Sequence, residues 1–177
     1  MNEILIYDNL IDRDMINLIY KTCTESTNWF YGRTGVKGTN KFWGSFLYHP
    51  NLNANRSFIV DYLKERLETA SGITPLNVRF GTLNGQTSNQ QAAWHNDSGG
   101  DLNNDRLITL LYYVNPTWDD SRGSTIIRQP DGEVKEIKFV PGRIVCFPSS
   151  WEHYGDCPEQ HNLLRITCGI KLEILEK

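Results

Sequence analysis

The sequence predicts an α+β domain in which two N-terminal helices support a β-rich body whose sheets fold on themselves as a sandwich or barrel. Three observations carry that prediction. Helix-period apolar stripes are confined to the first 75 residues, whereas everything after Leu76 breaks into six short strand-like runs punctuated by Gly, Pro, Asn and Asp. The 177 residues, 39% hydrophobic and 22% charged, have the composition of a folded chain of single-domain size. Helices followed by a long series of strands, without a repeat, a low-complexity tract or a linker, is the order of an α+β domain. One domain over 1–177 is therefore expected, with 1–75 as helical support plus an aromatic loop and 76–173 as the β body.

The elements follow in order. Residues 4–7 form a short apolar run of strand type. Asp12 is placed as an N-cap, and Met15, Ile16, Leu18, Ile19 and Cys23 follow at helical spacing. A second helix is expected over 55–70, with Phe58, Ile59, Tyr62, Leu63 and Leu67 on one stripe. Ser71, Gly72 and Pro75 stop it. The strand-like runs are 76–83, 106–115, 124–129, 133–140, 143–147 and 163–173. Between the helices, 28–50 gathers Trp29, Phe30, Tyr31, Phe42, Trp43, Phe46 and Tyr48 among four glycines. Trp43, Phe46 and Tyr48 are expected in the core. Trp29 and Tyr31 suit either the core or a segment that closes over a ligand. With Trp94 and Trp151 they form the candidate substrate contacts.

Composition excludes several classes. Eighteen Lys and Arg against 21 Asp and Glu give a net charge of −3, so phosphate neutralisation, the basis of non-specific nucleic-acid binding, is not advertised. No apolar run reaches the ~18–20 residues that cross a bilayer. Residues 1–10 carry acids where a secretory leader has a basic segment. Cys23, Cys146, Cys157 and Cys168 are scattered, without CxxC spacing, which suits free thiols and a cytoplasmic location.

The residues with chemistry begin at Trp94-His95-Asn96-Asp97. In extended backbone, positions i and i+2 point to one face, so His95 and Asp97 can act together. His153 follows the 143–147 run. Two imidazoles and one carboxylate on one face of a metal leave open coordination positions, as in non-haem Fe(II) oxygenases; catalytic zinc accepts the same set. Taken singly, His95 reads as a structural histidine, Asp97 as a turn-former and His153 as a surface loop residue. Arg165 shifts the balance towards iron. In 163–173, Leu164, Ile166, Cys168 and Ile170 alternate with Arg165, Thr167 and Gly169, so the arginine shares the polar face with a hydroxyl. That pair suits a bidentate grip on a carboxylate, which implies a dicarboxylic co-substrate such as 2-oxoglutarate. By the same period of two, Thr109, Leu111 and Tyr113 share a face, and Tyr112 takes the other as outer packing.

From His95 to Lys171 the chain resembles the 2-oxoglutarate and Fe(II)-dependent dioxygenases, in their prolyl 4-hydroxylase-like branch. The resemblance is carried by HND (95–97), DRLITLLYYVNPTWDDSRGSTIIRQPDG (105–132), PGRIVCFPSSWEH (141–153) and RIT (165–167). ITLLYYVNPTW is especially similar to the peptidyl-prolyl hydroxylases of oxygen sensing. The resemblance implies a double-stranded β-helix of jelly-roll or cupin type, with Fe(II) held by His95, Asp97 and His153. It implies that Arg165 and Tyr113 hold 2-oxoglutarate, with Thr167, Leu111 and Ile127 around it. Hydroxylation of a prolyl C–H in a protein or peptide would consume O2, with ascorbate as reductant. One departure stands out: where the family offers a co-substrate tyrosine before the triad, residues 78–82 have Phe80.

Rivals exist for this assignment. His161, in the polar loop 157–162, is a competing third ligand but is expected to face solvent. His49 could touch substrate, yet reads as a loop residue. Nucleic-acid demethylation is disfavoured, because Lys171 stands where those enzymes carry a second arginine. A catalytically idle β-barrel binding module and a zinc-dependent hydrolase would use the same triad. For the hydrolase, Glu152 alternates away from His153 and leaves no obvious general base.

Overall fold

The computed structural model describes residues 1–26, 28–51 and 57–176. In chain order the elements are β1 (Leu5–Tyr7), α1 (Arg13–Thr24), β2 (Phe30–Arg33), β3 (Phe42–Tyr48), α2 (Phe58–Ser71), β4 (Leu76–Gln86), β5 (Leu107–Tyr113), β6 (Thr125–Arg128), β7 (Val134–Ile137), β8 (Ile144–Pro148), β9 (Glu152–Gly155) and β10 (Arg165–Ile174). Seven strands form one sheet in the order β1-β8-β5-β10-β4-β3-β2, and three form a second in the order β7-β6-β9. Every pairing is antiparallel. The two sheets make a double-stranded β-helix core, with the helices on the outer face of the larger one.

Local chemistry accounts for the helices. The Asp12 carboxylate accepts from Met15 N at 2.8 Å, satisfying one of the donors that the start of a helix leaves free. Ser57 caps α2 in the same way through Ile59 N, and Gly72, at φ +72°, closes its C-terminus in the left-handed region where glycine pays no Cβ penalty. Residues 55 and 56 of the expected second helix lie outside the described residues. Ile16, Ile19 and Cys23 of α1 and Ile59, Val60, Leu63 and Leu67 of α2 are buried against Leu83, Leu110, Tyr112, Cys168 and Ile170 of the large sheet. Burying each such Leu or Ile side chain is worth about 1.5–3 kcal/mol, so this layer supplies most of the fold's cohesion. Leu18 and Phe58, expected on the apolar stripes, are exposed instead.

A smaller cluster, with Leu111, Tyr113, Ile127, Phe139, Phe147 and Trp151, fills part of the space between the sheets. The rest of that space is polar. Strand β4 shows how both faces are made. Lys171 pairs with Phe80 but Leu172 pairs with Val78, so Arg79 is an extra residue that reverses the facing of the strand. Leu76 and Val78 face the helices; beyond the bulge Leu83 does so, and Phe80, Thr82, Asn84 and Gln86 turn inward.

The aromatic segment differs from expectation. Residues 30–33 and 42–48 form a strand hairpin on the edge of the large sheet, where one side has no further strand to cover it. Trp43 and Phe46 are therefore 39% and 40% exposed, not core, and Tyr48 is only partly buried. Strand β9 is the other unexpected element, since His153 sits within a strand and not in a loop. Among the described residues no helix is long and apolar enough to cross a membrane.

Candidate metal centre and co-substrate pocket

Backbone pairing brings the three metal-ligand candidates together. Residues 92–97 run antiparallel beside β9: Ala92 N donates to Gly155 O at 3.2 Å, His95 N to His153 O at 3.0 Å, and His153 N to His95 O at 2.8 Å. Asp97 N then donates to Ser149 O at 2.8 Å. His95 and His153 face each other directly across this pairing, with ring centroids 4.4 Å apart. Asp97, two residues on, falls on the same side. One donor atom from each of His95, Asp97 and His153 lies within 4.8 Å of the others. They sit at the inner side of a cleft of about 190 Å³ between the two sheets.

The surroundings prepare these groups for a cation. His95 Nδ1 bonds to Ala93 O at 2.9 Å and His153 Nδ1 to Trp151 O at 3.2 Å. A carbonyl can only accept, so each Nδ1 carries the proton and each Nε2 presents a lone pair. Burial pushes the His153 imidazole down to about 4, against the pull of Asp97, so the ring is neutral at physiological pH. Burial acts the opposite way on Asp97, but His153, Lys171 and His95 outweigh it and hold the carboxyl below its usual range. Thr109 Oγ1 donates to Asp97 Oδ2 at 3.1 Å, and Lys171 Nζ lies 3.2 Å from Asp97 Oδ1. Two imidazoles with their Nε2 atoms turned to one point and an oriented carboxylate are a donor set that a divalent first-row metal takes.

Arg165 occupies the other end of the cleft's floor. It is 2% exposed and forms no ion pair among the described residues. Its Nε donates to Gly123 O at 2.7 Å, Nη1 to Gln86 Oε1 at 2.8 Å, and Nη2 to Thr125 Oγ1 at 3.0 Å. A guanidinium has five N–H donors, so one remains on each Nη. Gly155 packs so closely here that a Cβ would lie 2.8 Å from Gln86 Oε1 and 2.9 Å from Arg165 Nη1. Any side chain at 155 would displace the arginine.

Of the residues expected to hold the co-substrate, Thr167 and Leu111 line the cleft together with Arg165. Tyr113 stands behind that surface. Its hydroxyl donates to Ile137 O at 3.1 Å and pairs at 2.9 Å with Thr125 Oγ1, the atom that also receives Arg165. Ile127, paired across the small sheet with His153, is buried in the inter-sheet cluster. The four candidate substrate aromatics lie outside the cleft's lining. Trp29 is anchored by its Nε1–H to Cys23 O at 2.8 Å, and Tyr31 packs on Trp43 with centroids 5.3 Å apart. Trp94 lies on Tyr154 beneath the Arg128 guanidinium, and Trp151 is buried. Phe42 and Phe80 are the rings that line the cleft. His161 is exposed and bonds Ser88, while Tyr112 packs towards the helices. Glu152 faces away from His153 and pairs with Arg128 at 2.6 Å, so Asp97 is the cleft's lone carboxylate among the described residues.

Gln86, Thr125, Asn84 and Arg33 were not identified from the sequence, although all four line the cleft. The signal for two of them was present: Thr82, Asn84 and Gln86 alternate with Gly81, Leu83 and Gly85, which extends the 76–83 strand by three residues. Arg33 had no such signal, because it comes from the hairpin read as a loop.

A double-stranded β-helix that brings two imidazoles and a carboxylate to one point between its sheets defines a mononuclear non-haem metal oxygenase site. The family model of the 2OG-Fe(II) oxygenase superfamily matches residues 81–173, more than half of the chain, and the chain belongs to that superfamily. No curated protein matches it in sequence. Solved structures do match in fold. An oxidoreductase of the 2OG-Fe(II) oxygenase family from Burkholderia pseudomallei aligns with TM-score 0.77 at 10% identity, over 98% of this chain and 86% of that one. A Trichoplax adhaerens prolyl hydroxylase, solved with a hypoxia inducible factor oxygen degradation domain peptide fragment, aligns with TM-score 0.67 at 16% identity, over 98% and 84%. The α-ketoglutarate-dependent carbocyclase SnoK of nogalamycin biosynthesis aligns with TM-score 0.71 at 12% identity, over 97% and 79%. At such identities the likeness speaks to the fold.

Proposed function

We propose that the protein is an Fe(II)- and 2-oxoglutarate-dependent hydroxylase acting on a C–H bond, with a prolyl residue of a protein or peptide as substrate. The observation that carries the co-substrate is Arg165: a buried guanidinium without a counter-ion costs several kcal/mol, and the cost is recovered when a carboxylate accepts its two remaining donors. His95, Asp97 and His153 would hold the iron, which supplies the oxidising chemistry when bound together with 2-oxoglutarate and O2. The chain's own residues bind and orient. The Nδ1 bonds to Ala93 and Trp151 aim both imidazoles, and Thr109 and Lys171 fix the Asp97 carboxylate. Tyr113 and Gln86 brace Arg165, directly or through Thr125. Phe147, with its ring centroid 4.8 Å from that of His153, closes the back of the site to water.

The prolyl substrate is supported by the sequence motifs and by a prolyl hydroxylase among the similar folds. An aromatic series adds to it: Phe80 inside the cleft meets Phe46 at 5.8 Å, and Phe46 stacks on exposed Phe30 at 5.4 Å. Flat exposed rings continuous with a cleft suit an extended, proline-bearing chain. Anaerobic addition of Fe(II) and 2-oxoglutarate should produce a weak visible charge-transfer band, and admission of O2 should then yield succinate. Prolyl peptides should accelerate succinate formation. Normal metal uptake with no band would sink the assignment.

A further inference from the structure

The end of the cleft away from Arg165 holds two cations, Arg33 and Lys171, beside the single carboxylate of Asp97, which Lys171 approaches to 3.2 Å. Arg165, Thr167, Gly169 and Lys171 all line it from β10, which puts Lys171 about 20 Å along the strand from Arg165. Lys171 is joined there by Arg33. Arg33 Nε donates to Asn84 Oδ1 at 2.7 Å, and its Cζ lies 6.0 Å from the centroid of Phe80. Lys171 Nζ lies 6.0 Å from the same centroid. Two cations thus lie near one ring at the cleft wall; Lys171 also pairs with Asp97, whereas Arg33 forms no ion pair among the described residues.

Charge balance over the whole cleft is uneven. The lining holds three cations (Arg33, Arg165 and Lys171) against one carboxylate, Asp97. A divalent metal and the 2-oxoglutarate dianion cancel one another, so the loaded cleft still carries two positive charges in a partly desolvated space. We propose that Arg33 and Lys171, both beside Phe80, bind a carboxylate of the substrate, so that the reacting C–H belongs to an acidic compound. This rests on the oxygenase reading above. The carboxylate belongs either to a free α-carboxyl group or to an acidic side chain beside the reacting residue. The two cations supply charge-assisted donors for it while Phe80 supports the apolar part next to the anion.

The test uses the anaerobic protein loaded with Fe(II) and 2-oxoglutarate, with calorimetry as the binding readout. N-acetyl-L-proline is compared with N-acetyl-L-prolinamide, and N-acetyl-Glu-Pro-amide with N-acetyl-Gln-Pro-amide. In at least one pair the carboxylate should bind about tenfold or more tightly than its amide, and the pair that discriminates identifies the source of the anion. Arg33→Gln should bring that ratio close to one while retaining the 2-oxoglutarate charge-transfer band, which reports a folded, loaded site. Lys171→Met is the second variant and should lower the ratio without disturbing the Arg33–Asn84 contact. Equal affinities within both pairs, or no binding of any of the four probes, overturns the carboxylate site. A wild-type protein that lacks the band fails the oxygenase reading itself.

Discussion

Strands β5 and β10 have two faces that do opposite work with the same backbone. Towards the helices, β10 presents Ile166, Cys168, Ile170 and Leu172, and β5 presents Ile108, Leu110 and Tyr112, all buried in one apolar layer. Towards the small sheet, β10 presents Arg165, Thr167, Gly169 and Lys171, and β5 presents Thr109, Leu111 and Tyr113. The first face gains from burial alone, so its residues are interchangeable at similar volume. The second holds a buried cation, a lysine and hydroxyls, facing the Asp97 carboxylate across the cleft, and burial of such groups costs stability unless each finds a partner. The difference implies that stability and chemistry can be altered separately, one face at a time.

The sharpest way to break that separation is Asp97→Ala. Turnover should fall to background and Fe(II) binding by equilibrium dialysis should be lost, while the thermal midpoint of the metal-free protein stays within a few degrees of wild type. A large drop in the metal-free midpoint would show that the carboxylate holds the fold as well. Next comes Arg165→Met. Removing a bidentate charged contact should raise the 2-oxoglutarate requirement roughly 100-fold, measured by the charge-transfer titration. Its stability should change little, because relief of a buried charge offsets the lost bonds to Gly123, Gln86 and Thr125.

The opposite face should behave in reverse. Leu110→Ala removes a fully buried side chain from the helix-facing layer and should cost about 2–5 kcal/mol by chemical denaturation. Its 2-oxoglutarate titration, per folded molecule, should match wild type. A shifted titration would mean that the two faces are coupled through the strand.

The two faces were also unequally legible. From Leu164, just before β10, to Ile170 within it, the apolar and polar residues alternate without exception, so both the core side and Arg165 could be read from spacing. The His95–Asp97 pair was equally plain, because two residues of extended chain set their common facing. The sheet partner of His153 was not legible: β9 is four residues long, and EHYG carries no strand signature of its own. Its strand character comes from pairing with β6 and with 92–97, which are remote in sequence. The hairpin 30–33 and 42–48 was missed for a related reason. Its glycines and exposed rings resemble a mobile loop, yet Gly44 is demanded by close packing, since a Cβ there would lie 2.7 Å from Arg33 Cδ. Arg33 was hidden with it.

The smallest expected effects make the finest comparison, since they remove the same atom from neighbouring residues. Tyr112 and Tyr113 are both fully buried, one on each face of β5. The Tyr112 hydroxyl has no hydrogen-bond partner among the described residues, and burial pushes its ionisation well above the ordinary range for a phenol. Tyr112→Phe deletes an unsatisfied polar atom and should raise stability by about 1 kcal/mol, with kinetics unchanged. The Tyr113 hydroxyl is paired with Thr125 and Ile137 O, so Tyr113→Phe removes two satisfied contacts and should lower stability by about 1–2 kcal/mol. It should also loosen Thr125 beneath Arg165 and raise KM for 2-oxoglutarate a few-fold at nearly constant kcat. Opposite signs from one oxygen, moved by one residue, would establish that partner supply and not burial sets the value of a polar group in this sheet. Equal signs would mean that the inter-sheet space is wet enough for solvent to replace the lost hydroxyl contacts, and the polar face would then be less enclosed than its packing indicates.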